Sequence, residues 1–379
     1  MSHLFNLIDF LEPVQLADRP VKDLYKHGQI GKSIEVHEEG ILPDLIEKDL
    51  ILVGCPDTRG GGYVTKGKTA PQAIREQLYH LYNWHKDIQL ADAGDIKTGA
   101  TVQDTYAALK TVISELTDLG KTVLVLGGSH DLTLAQYQHY VDKKRVIEAV
   151  SVDARIDLDI DSLNRSDFFL MEMLTSEPNY VRHYSHIGFQ SFYVHPHMLE
   201  TMDKLRFDCF RVGSVKENIE EMEPVIRNAS LFSLDISAIA HAYAPANHFS
   251  PNGFNGEEAC SLMRFAGLSP HVNTIGIYGY RPDLDVQDLT AKQISHMIWY
   301  LIDGKSRGQR EAGLDDRDSF TEYHTAFAEV ETVFLKSRKT NRWWMQLPDK
   351  NYIACSYKDY LLASSNEIPE RWLRAQERV

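Results

Sequence analysis

The sequence lacks several features that would assign it to a specialised class of protein. Its 379 residues include only four cysteines, Cys55, Cys209, Cys260 and Cys355, and no CxxC pair, which favours reduced, buried thiols in a cytoplasmic protein over disulfides or a zinc site. No apolar run reaches membrane-spanning length, and the opening MSHLFNLIDFLEP contains acid and proline and lacks the basic flank of a signal peptide. No basic stripe accompanies the net charge of −14, so neither nucleic acid nor an anionic membrane is expected as a partner.

What the sequence does contain is an alternation of short apolar runs with helical patterns. Eight runs are predicted to be strands: 50–53, 88–91, 122–126, 148–152, 185–189, 208–212, 230–236 and 274–278. Several are apolar throughout, which is typical of parallel strands that have helices on both faces. One-faced periodicity predicts helices at 100–119 and in the stretch before Gly304. Together these patterns predict an α/β fold, a three-layer α-β-α sandwich around a mostly parallel sheet of about eight strands.

The α/β core is expected to occupy residues 49–304, with one extension on each side. Residues 1–48 and 305–379 are the N-terminal and C-terminal extensions, and both are expected to pack on the core. The polar segment GKSRGQREAGLDDRDS, residues 304–319, is predicted to be an exposed loop. EVETVFLKS and RWWMQL in the tail predict strands, and Trp343, Trp344 and Trp372 are expected to be buried. The tail is therefore expected to be a structural cover, with an oligomer contact or a lid over the site as the alternatives.

Metal-type side chains follow three of the predicted strands. His130 lies in LGGSHDLT, Asp153 and Asp157 lie in SVDARID, and Asp235 lies in SLDIS. Each motif alone is weak, because such residues are more often hydrogen-bonded polar groups or helix caps. Loops after the carboxyl ends of parallel strands meet at one edge of the sheet, so the four side chains are expected to converge. One imidazole and three carboxylates suit manganese or magnesium better than zinc, and a cation would relieve the repulsion among the carboxylates.

Together these motifs resemble the ureohydrolases, the superfamily of arginase, agmatinase and formimidoylglutamase. GGSHDLT is similar to the family's Gly-Gly-Asp-His-Ser, SVDARID to Asp-Ala-His-x-Asp, and SLDISAIAHAYAPAN to Ser-x-Asp-x-Asp-x-x-Asp-Pro-x-x-Ala-Pro-Gly. GCPDTRGGGYVTKGKTAPQAIR, DAGDI and PNGF also resemble family segments in the same order. The resemblance runs from about Gly54 to Ile302 and implies an arginase-like fold.

The resemblance also implies a metal site of altered composition. In the family, two manganese ions share a bridging hydroxide. The ligands of one ion correspond to four positions that keep their side chains: His130, Asp153, Asp157 and Asp235. The second ion's private ligands, a histidine and an aspartate, correspond to Arg155 and Ser237. We therefore expect a divergent member with at most one manganese ion, in which Arg155 stands near the second ion's place and pairs with Asp153 or Asp235. The alternative is that Arg155 neutralises these acids and no metal binds.

Two further differences from the family concern catalysis. The family's substrate-facing glutamate corresponds to Gly279 in GIYGYRPDLD, and residues 158–182 contain no histidine to match the family's proton-shuttling one. A cationic Arg155 would also repel a guanidinium, so arginase or agmatinase activity is not expected. No catalytic residue is assigned. Four other histidines lie near the motifs, although each is more often an ordinary loop or surface residue: His183, His186, His241 and His248.

Two functions from different classes remain. The first is hydrolysis of a linear amidine at a C–N bond other than a peptide bond, in a formimidoylglutamase-like enzyme whose amino-acid-like substrate places its carboxylates on Arg155 or Arg59. The second is a catalytically inactive protein of this fold that binds a ligand or has a structural role. A deacetylase of the same fold fits poorly, because deacetylases resemble the family at the ion whose ligands are lost here. The family resemblance also implies a homo-oligomer.

Overall fold

The computed structural model describes residues 4–16 and 24–377. The strands of this part of the chain are β1 (Leu11–Glu12), β2 (Glu35–Val36), β3 (Leu50–Cys55), β4 (Leu90–Ile96), β5 (Thr122–Gly127), β6 (Ile147–Val152), β7 (Val181–Phe189), β8 (Asp208–Arg211), β9 (Leu231–Asp235), β10 (Thr274–Tyr278), β11 (Phe320–Phe327), β12 (Val330–Ser337), β13 (Trp343–Gln346) and β14 (Tyr352–Cys355). The α-helices are α1 (Ile30–Ser33), α2 (Ala70–Leu78), α3 (Val102–Asp118), α4 (Thr133–Asp142), α5 (Phe169–Thr175), α6 (Pro196–Lys204), α7 (Val212–Glu217), α8 (Met222–Arg227), α9 (Gly256–Leu268), α10 (Leu289–Gly308), α11 (Tyr357–Ser364) and α12 (Glu370–Glu377).

The eight strands predicted for the core form one parallel sheet in the order β4-β3-β5-β10-β9-β6-β7-β8. The prediction of an α/β fold with a mostly parallel sheet is therefore confirmed. The sheet is larger than the predicted eight strands, because β1 pairs antiparallel and β2 pairs parallel with the edge strand β4. Both additional strands come from the first 48 residues and are only two residues long, which is too short to show any apolar alternation in the sequence.

Alternating side chains of each strand enter two separate apolar layers. In β3, Leu50 and Leu52 pack in the layer on one side of the sheet, and Ile51 and Val53 pack in the layer on the other. Helices α2, α9 and α10 supply residues to the first layer, and α3 and α4 supply residues to the second. The predicted three-layer sandwich is thus present, and its strands are apolar throughout because both of their faces are covered.

The predicted loop at 304–319 is wrong in its first part, because α10 continues to Gly308. Gly304, one of the glycines that suggested a loop, and Gly267 in α9 lie where α9 and α10 approach closely. A Cβ on Gly304 would lie 2.2 Å from the carbonyl oxygen of Arg264, and one on Gly267 would lie 2.2 Å from that of Leu301. Ser306 is buried as well, and its hydroxyl donates to Asp87 at 2.6 Å. Close helix packing therefore requires small residues at the end of α10. Because glycine and serine are also common in loops, the composition of this segment alone predicts a loop.

The C-terminal residues form a second sheet of four antiparallel strands, β11-β12-β13-β14, followed by α11 and α12. The tail strands predicted from EVETVFLKS and RWWMQL are confirmed, and the three predicted tryptophans are buried: Trp343, Trp344 and Trp372. Arg227 donates to the carbonyl of Trp343 at 2.7 Å, and Arg342 donates to the carbonyl of Leu268 at 3.0 Å. Both core residues lie just before strands β9 and β10 begin. These contacts favour a structural cover at the amino ends of the strands over a lid on the carboxyl edge.

All four cysteines are free thiols, and three of them are buried. Cys209 is the half-buried one. Among the residues that the structure describes, no helix combines the length and the apolar character needed to span a membrane. The boundaries at 48/49 and 304/305 stay predictions.

Candidate metal centre

The predicted ligands are carried by three strands near the middle of the sheet. Asp235 is the last residue of β9, Asp153 directly follows β6, and His130 begins a 3-10 turn shortly after β5. The glycine pair before His130 is required by a close approach, because a Cβ on Gly128 would lie 1.9 Å from the carbonyl oxygen of Asp57. The sequence thus folds so that all three side chains meet at the carboxyl edge of the sheet.

His130 stands at the centre of this cluster and is almost fully buried. Its Nδ1 lies 3.0 Å from Oδ2 of Asp153 and 2.9 Å from Oδ2 of Asp157, yet it has no partner in hydrogen-bonding geometry. The imidazole is enclosed by the rings of Phe169 and Tyr278, whose centroids lie 4.7 and 5.6 Å away. A buried nitrogen so close to two carboxylates is held there either by a proton shared with them or by a metal ion between them.

The other nitrogen of His130 indicates which tautomer the ring adopts. Nε2 lies 3.2 Å from the hydroxyl of Ser233, and that hydroxyl donates to Ser151 at 3.2 Å. Ser233 therefore accepts from Nε2–H, and Nδ1 is the nitrogen that faces the carboxylates. Burial alone would lower the pKa of the imidazole, but Asp153 and Asp157 raise it well above the usual range. A histidine that donates one N–H and points the other nitrogen at acids is the usual arrangement of a metal ligand.

Donor atoms of His130, Asp153 and Asp235 all lie within 4.8 Å of one another. Asp157, the fourth predicted ligand, lies outside this set of three but touches the same histidine nitrogen. The structure therefore brings three of the four predicted side chains into one metal-type cluster and places the fourth beside it. Two cavities of about 1190 and 860 Å³ lie elsewhere, and none of these four residues lines either of them.

The electrostatics of the cluster also favour a cation. Burial, followed by the charge of Asp153, raises the pKa of both Asp157 and Asp235 above the usual carboxyl range. Burial alone would raise the pKa of Asp153 as well, but its contact with His130 lowers it well below the usual range. Three carboxylates thus share one imidazole, two of them buried and the third, Asp235, partly exposed. An ion between them would remove the repulsion that shifts these pKa values.

Arg155 and Ser237, the two positions that the family resemblance assigns to a second ion, make other contacts. The Ser237 hydroxyl donates to Oδ1 of Asp153 at 2.5 Å, and the backbone N–H of Arg155 donates to the same oxygen at 3.0 Å. The backbone N–H of Ser237 donates to Oδ1 of Asp235 at 2.8 Å. One oxygen of Asp153 therefore faces His130, while the other accepts hydrogen bonds from protein donors.

The predicted pairing of Arg155 with Asp153 or Asp235 is wrong. Nη1 of Arg155 forms its ion pair with Oδ1 of Asp167 at 2.8 Å, and the guanidinium lies 4.6 Å from the ring centroid of Phe249. The backbone N–H of Arg155 caps Asp153, and its side chain extends instead towards the segment before α5. The Arg155 side chain is a third exposed. Burial lowers its pKa, but the charges of Asp157, Asp153, Asp167 and Asp235 together raise it above the usual range.

Gly279 adopts a backbone conformation that leaves no room for a side chain. Its φ is +76°, and a Cβ there would lie 2.3 Å from Oδ2 of Asp235. Its N–H donates to the carbonyl of Gly128 at 2.9 Å, which ties the loop after β10 to the loop that carries His130. A glutamate at this position is therefore incompatible with the present place of Asp235.

Three of the four remaining predicted histidines have partners within the protein: His183, His186 and His241. His183 pairs with Asp208 at 3.0 Å, away from the cluster, and His241 contacts the carbonyl of Asn247 at 2.9 Å. His248 is exposed. His186 is the closest to the cluster, with Nε2 3.1 Å from the backbone carbonyl of Asp153, and burial lowers its pKa to about 4.

Arg59, proposed from the sequence as a partner for substrate carboxylates, is already engaged. Its guanidinium forms a bidentate ion pair with Asp57, with contacts of 2.6 to 3.2 Å. It also donates to the carbonyls of Gly99, Ala100 and Thr101. This arginine ties two loops together and has few donors left for a ligand.

Sequence reasoning missed two residues beside Asp235. The Tyr63 hydroxyl is buried without a hydrogen-bond partner, and its pKa is raised chiefly by burial and then by the charge of Asp235. The guanidinium of Arg281 lies 4.8 Å from the Tyr63 ring centroid, and its Nη2 lies 3.1 Å from Asp283. Arg281 lies two residues after Gly279 in GIYGYRPDLD, and this position in the motif is the signal from which its place near the site could have been predicted.

A mostly parallel sheet with a histidine and carboxylates at its carboxyl edge defines an α/β protein with a metal-type site. The sequence model of the arginase family matches residues 48–303. The chain therefore belongs to the arginase family.

Similar proteins include enzymes with related names. The chain is 24% identical over 311 residues to a formimidoylglutamase of Bacillus subtilis, which covers 73% of this chain and 95% of that protein. It is 24% identical over 242 residues to a proclavaminate amidinohydrolase of Streptomyces clavuligerus, which covers 58% of this chain and 76% of that one. A crystal structure of Trypanosoma cruzi formiminoglutamase with Mn²⁺ matches with a TM-score of 0.65 and 16% identity, covering 73% of this chain and 98% of that one. The structural match supports the fold.

Proposed function

We propose that the chain is a formimidoylglutamase-like hydrolase of linear amidines whose site holds a single manganese ion on His130, Asp153 and Asp235, with Asp157 adjacent. The observation that carries this proposal is the set of donor atoms on His130, Asp153 and Asp235 that lie within 4.8 Å of one another, with the buried Nδ1 of His130 within about 3 Å of two carboxylates. Membership of the arginase family and similarity to named formimidoylglutamases support the reaction class.

With its ion bound, a site of this kind supplies Lewis-acid activation of water for hydrolysis. The chain's own residues prepare the site for this chemistry. Ser233 fixes the tautomer of His130 by accepting from Nε2, and Ser237 holds one oxygen of Asp153 so that the other faces the histidine. Phe169 and Tyr278 enclose the imidazole and exclude water from its faces. Such fixed partners keep the ligands in place before substrate arrives.

The polar groups around the cluster favour an acidic amidine over a guanidine. Gly279 supplies no carboxylate to receive a guanidinium, and Arg155 places a partly exposed cation at the site. One nitrogen of Arg155 is bound by Asp167, and its planar fork has further donors for a substrate carboxylate. N-formimidoyl-L-glutamate therefore fits the site better than arginine or agmatine.

The reaction is tested by glutamate release from N-formimidoyl-L-glutamate after manganese loading. We expect turnover that Asp235→Asn lowers by more than about 100-fold, because a lost ligand removes transition-state stabilisation as well as the ion. A chain that binds one manganese ion yet releases no more glutamate than Asp235→Asn would contradict the hydrolase proposal. Agmatine serves as the cationic comparison substrate.

Rebuilding the second ion's ligands should raise the metal content. The double variant Arg155→His, Ser237→Asp is expected to bind about two manganese ions per chain instead of about one, since it adds an imidazole and a carboxylate at the corresponding positions. Elemental analysis after loading and removal of free metal measures this. The matched control is Arg155→Gln, Ser237→Ala, which removes the same native groups without adding ligands and should stay near one ion. Equal metal content in the two double variants would contradict the proposed correspondence.

A catalytically inactive ligand-binding protein is the second candidate function. The observation that favours it is the pair of contacts at the lost positions: Ser237 occupies an oxygen of Asp153, and Gly279 leaves no space for the family's glutamate. This candidate predicts no turnover of any amidine by metal-loaded protein, and the glutamate-release assay therefore separates the two functions.

A further inference from the structure

A second site is indicated on the opposite side of the molecule from the metal centre. A cavity of about 860 Å³ lies between helices α8, α9 and α10 of the core and the C-terminal segment that contains β13 and α11. Seven arginine and lysine side chains line this cavity, but only four carboxylates do. The excess of positive charge is unexpected in a chain of net charge −14. Such a local excess focuses a positive potential into the cavity.

Three of the four carboxylates already have close cationic partners. Glu223 pairs with Arg227 and lies 3.5 Å from Arg342, so one acid serves two arginines. Asp303 pairs with Arg307 at 3.0 Å. Glu221 pairs at 3.4 Å with an arginine that does not line the cavity. These acids therefore cannot neutralise the other cations of the wall.

Four cations of the wall have no close carboxylate. Lys339 in the β12–β13 turn, Lys358 in α11 and Arg310 after α10 make no ion pair within the described residues, and all three are exposed. The terminal nitrogen of Arg264 comes no closer than 3.9 Å to the largely exposed Glu220, and its buried Nε has no hydrogen-bond partner. The four side chains come from four different elements and line the same cavity.

Buried arginines and aromatic rings lie beneath these side chains. Arg227 and Arg342 are buried, and their guanidinium groups lie 4.5 and 5.7 Å from the ring centroid of Trp344. Trp343 and the half-exposed Tyr357 also line the cavity. The wall therefore combines buried cations and aromatic faces with exposed lysine side chains, which suits a compact ligand that carries several negative charges.

We propose that this cavity binds a small polyanion through its phosphate groups, held by Arg264, Arg310, Lys339 and Lys358. The phosphates belong either to a free polyphosphate or to a nucleotide whose base stacks on an exposed aromatic ring such as Tyr357. The proposal is independent of the metal centre and of hydrolysis, because none of the four candidate metal ligands lines this cavity.

Calorimetric titration of the full-length chain with inorganic pyrophosphate tests this inference, with EDTA present so that the metal centre does not contribute. We expect a dissociation constant below about 1 mM for the parent chain. The double variant Lys339→Gln, Lys358→Gln should bind about 10-fold more weakly, a loss of affinity that corresponds to about one charge-assisted hydrogen bond. Both lysines are exposed, so the variant should fold normally. The matched control is the double variant Lys26→Gln, Lys66→Gln, which removes two exposed lysines that do not line this cavity. Lys66 lies on the loop that carries Tyr63.

A parallel titration with ATP distinguishes the two sources of phosphate. Tighter binding of ATP than of pyrophosphate, lost in Tyr357→Ala, supports a nucleotide, while equal affinities support a free polyphosphate. Absence of binding by both ligands at millimolar concentration overturns the proposal. Equal weakening in the two lysine double variants also overturns it, because the anion would then respond to net charge and not to this cavity.

Discussion

Replacing Asp235 with asparagine is expected to weaken manganese binding by more than about 100-fold, because even outer-shell partners of metal ligands contribute 10- to 100-fold. Asp235 supplies one of the three donor atoms that lie within 4.8 Å of one another. Asparagine keeps the shape of the side chain and can still accept the N–H of Ser237, but it removes the negative charge. Manganese titration of metal-free protein, followed by calorimetry, measures the effect.

The stability of the same variant distinguishes a metal site from a purely structural cluster. Asp235→Asn removes one of three clustered carboxylates that repel one another, so metal-free protein should be at least as stable to urea as the parent. Asp161→Asn is the matched control, because Asp161 is exposed and lies outside the cluster. Unchanged manganese affinity in Asp235→Asn would contradict the assigned ligand, and a large loss of stability without metal would indicate a structural role.

Replacing Gly279 with alanine is expected to disturb both the backbone and Asp235. The left-handed conformation of an L-residue costs roughly 1–2 kcal/mol, and overpacking costs a further 1–3 kcal/mol or so. The methyl group would lie 2.3 Å from Oδ2 of Asp235, so the carboxylate must move or the loop must shift. We therefore expect a loss of unfolding free energy of about 2–5 kcal/mol in urea, together with weaker manganese binding.

Gly120→Ala provides the control for this prediction. Gly120 has nearly the same φ, +74°, but a Cβ there would meet nothing within 4 Å. This variant should show the backbone cost alone, about 1–2 kcal/mol, and unchanged manganese affinity. If Gly279→Ala loses no more stability than Gly120→Ala and binds manganese equally well, the close approach between Gly279 and Asp235 is not a constraint on the site.

Much of the fold could be predicted because its signals are local. Apolar runs bounded by turns gave all eight core strands, and the periodicity of 100–119 gave α3, whose N-terminus is fixed by the capping box of Thr101 and Asp104. The errors arise where tertiary contacts override composition. The strands β1 and β2 exist only because β4 offers them an edge, and Gly304 lies in a helix because α9 packs against it.

The residues of the site that follow strands were predictable, while the contacts between its loops were not. Strand ends locate His130, Asp153 and Asp235, because parallel strands must bring their carboxyl ends to one edge. The partner of Arg155 was not predictable from the sequence. Asp167 lies outside the motif that follows β6, and it meets Arg155 only because the segment before α5 folds back onto that motif. The contact between Gly279 and Asp235 likewise depends on how two separate loops approach each other.

The metal content of the purified chain tests the central claim most directly. Protein prepared without added metal is analysed for its elements, loaded with excess manganese, freed of unbound ions and analysed again. The account predicts about one manganese ion per chain after loading, because one oxygen of Asp153 faces His130 while Ser237 holds the other. No bound ion under saturating manganese, or two ions per chain, would contradict a single-metal site.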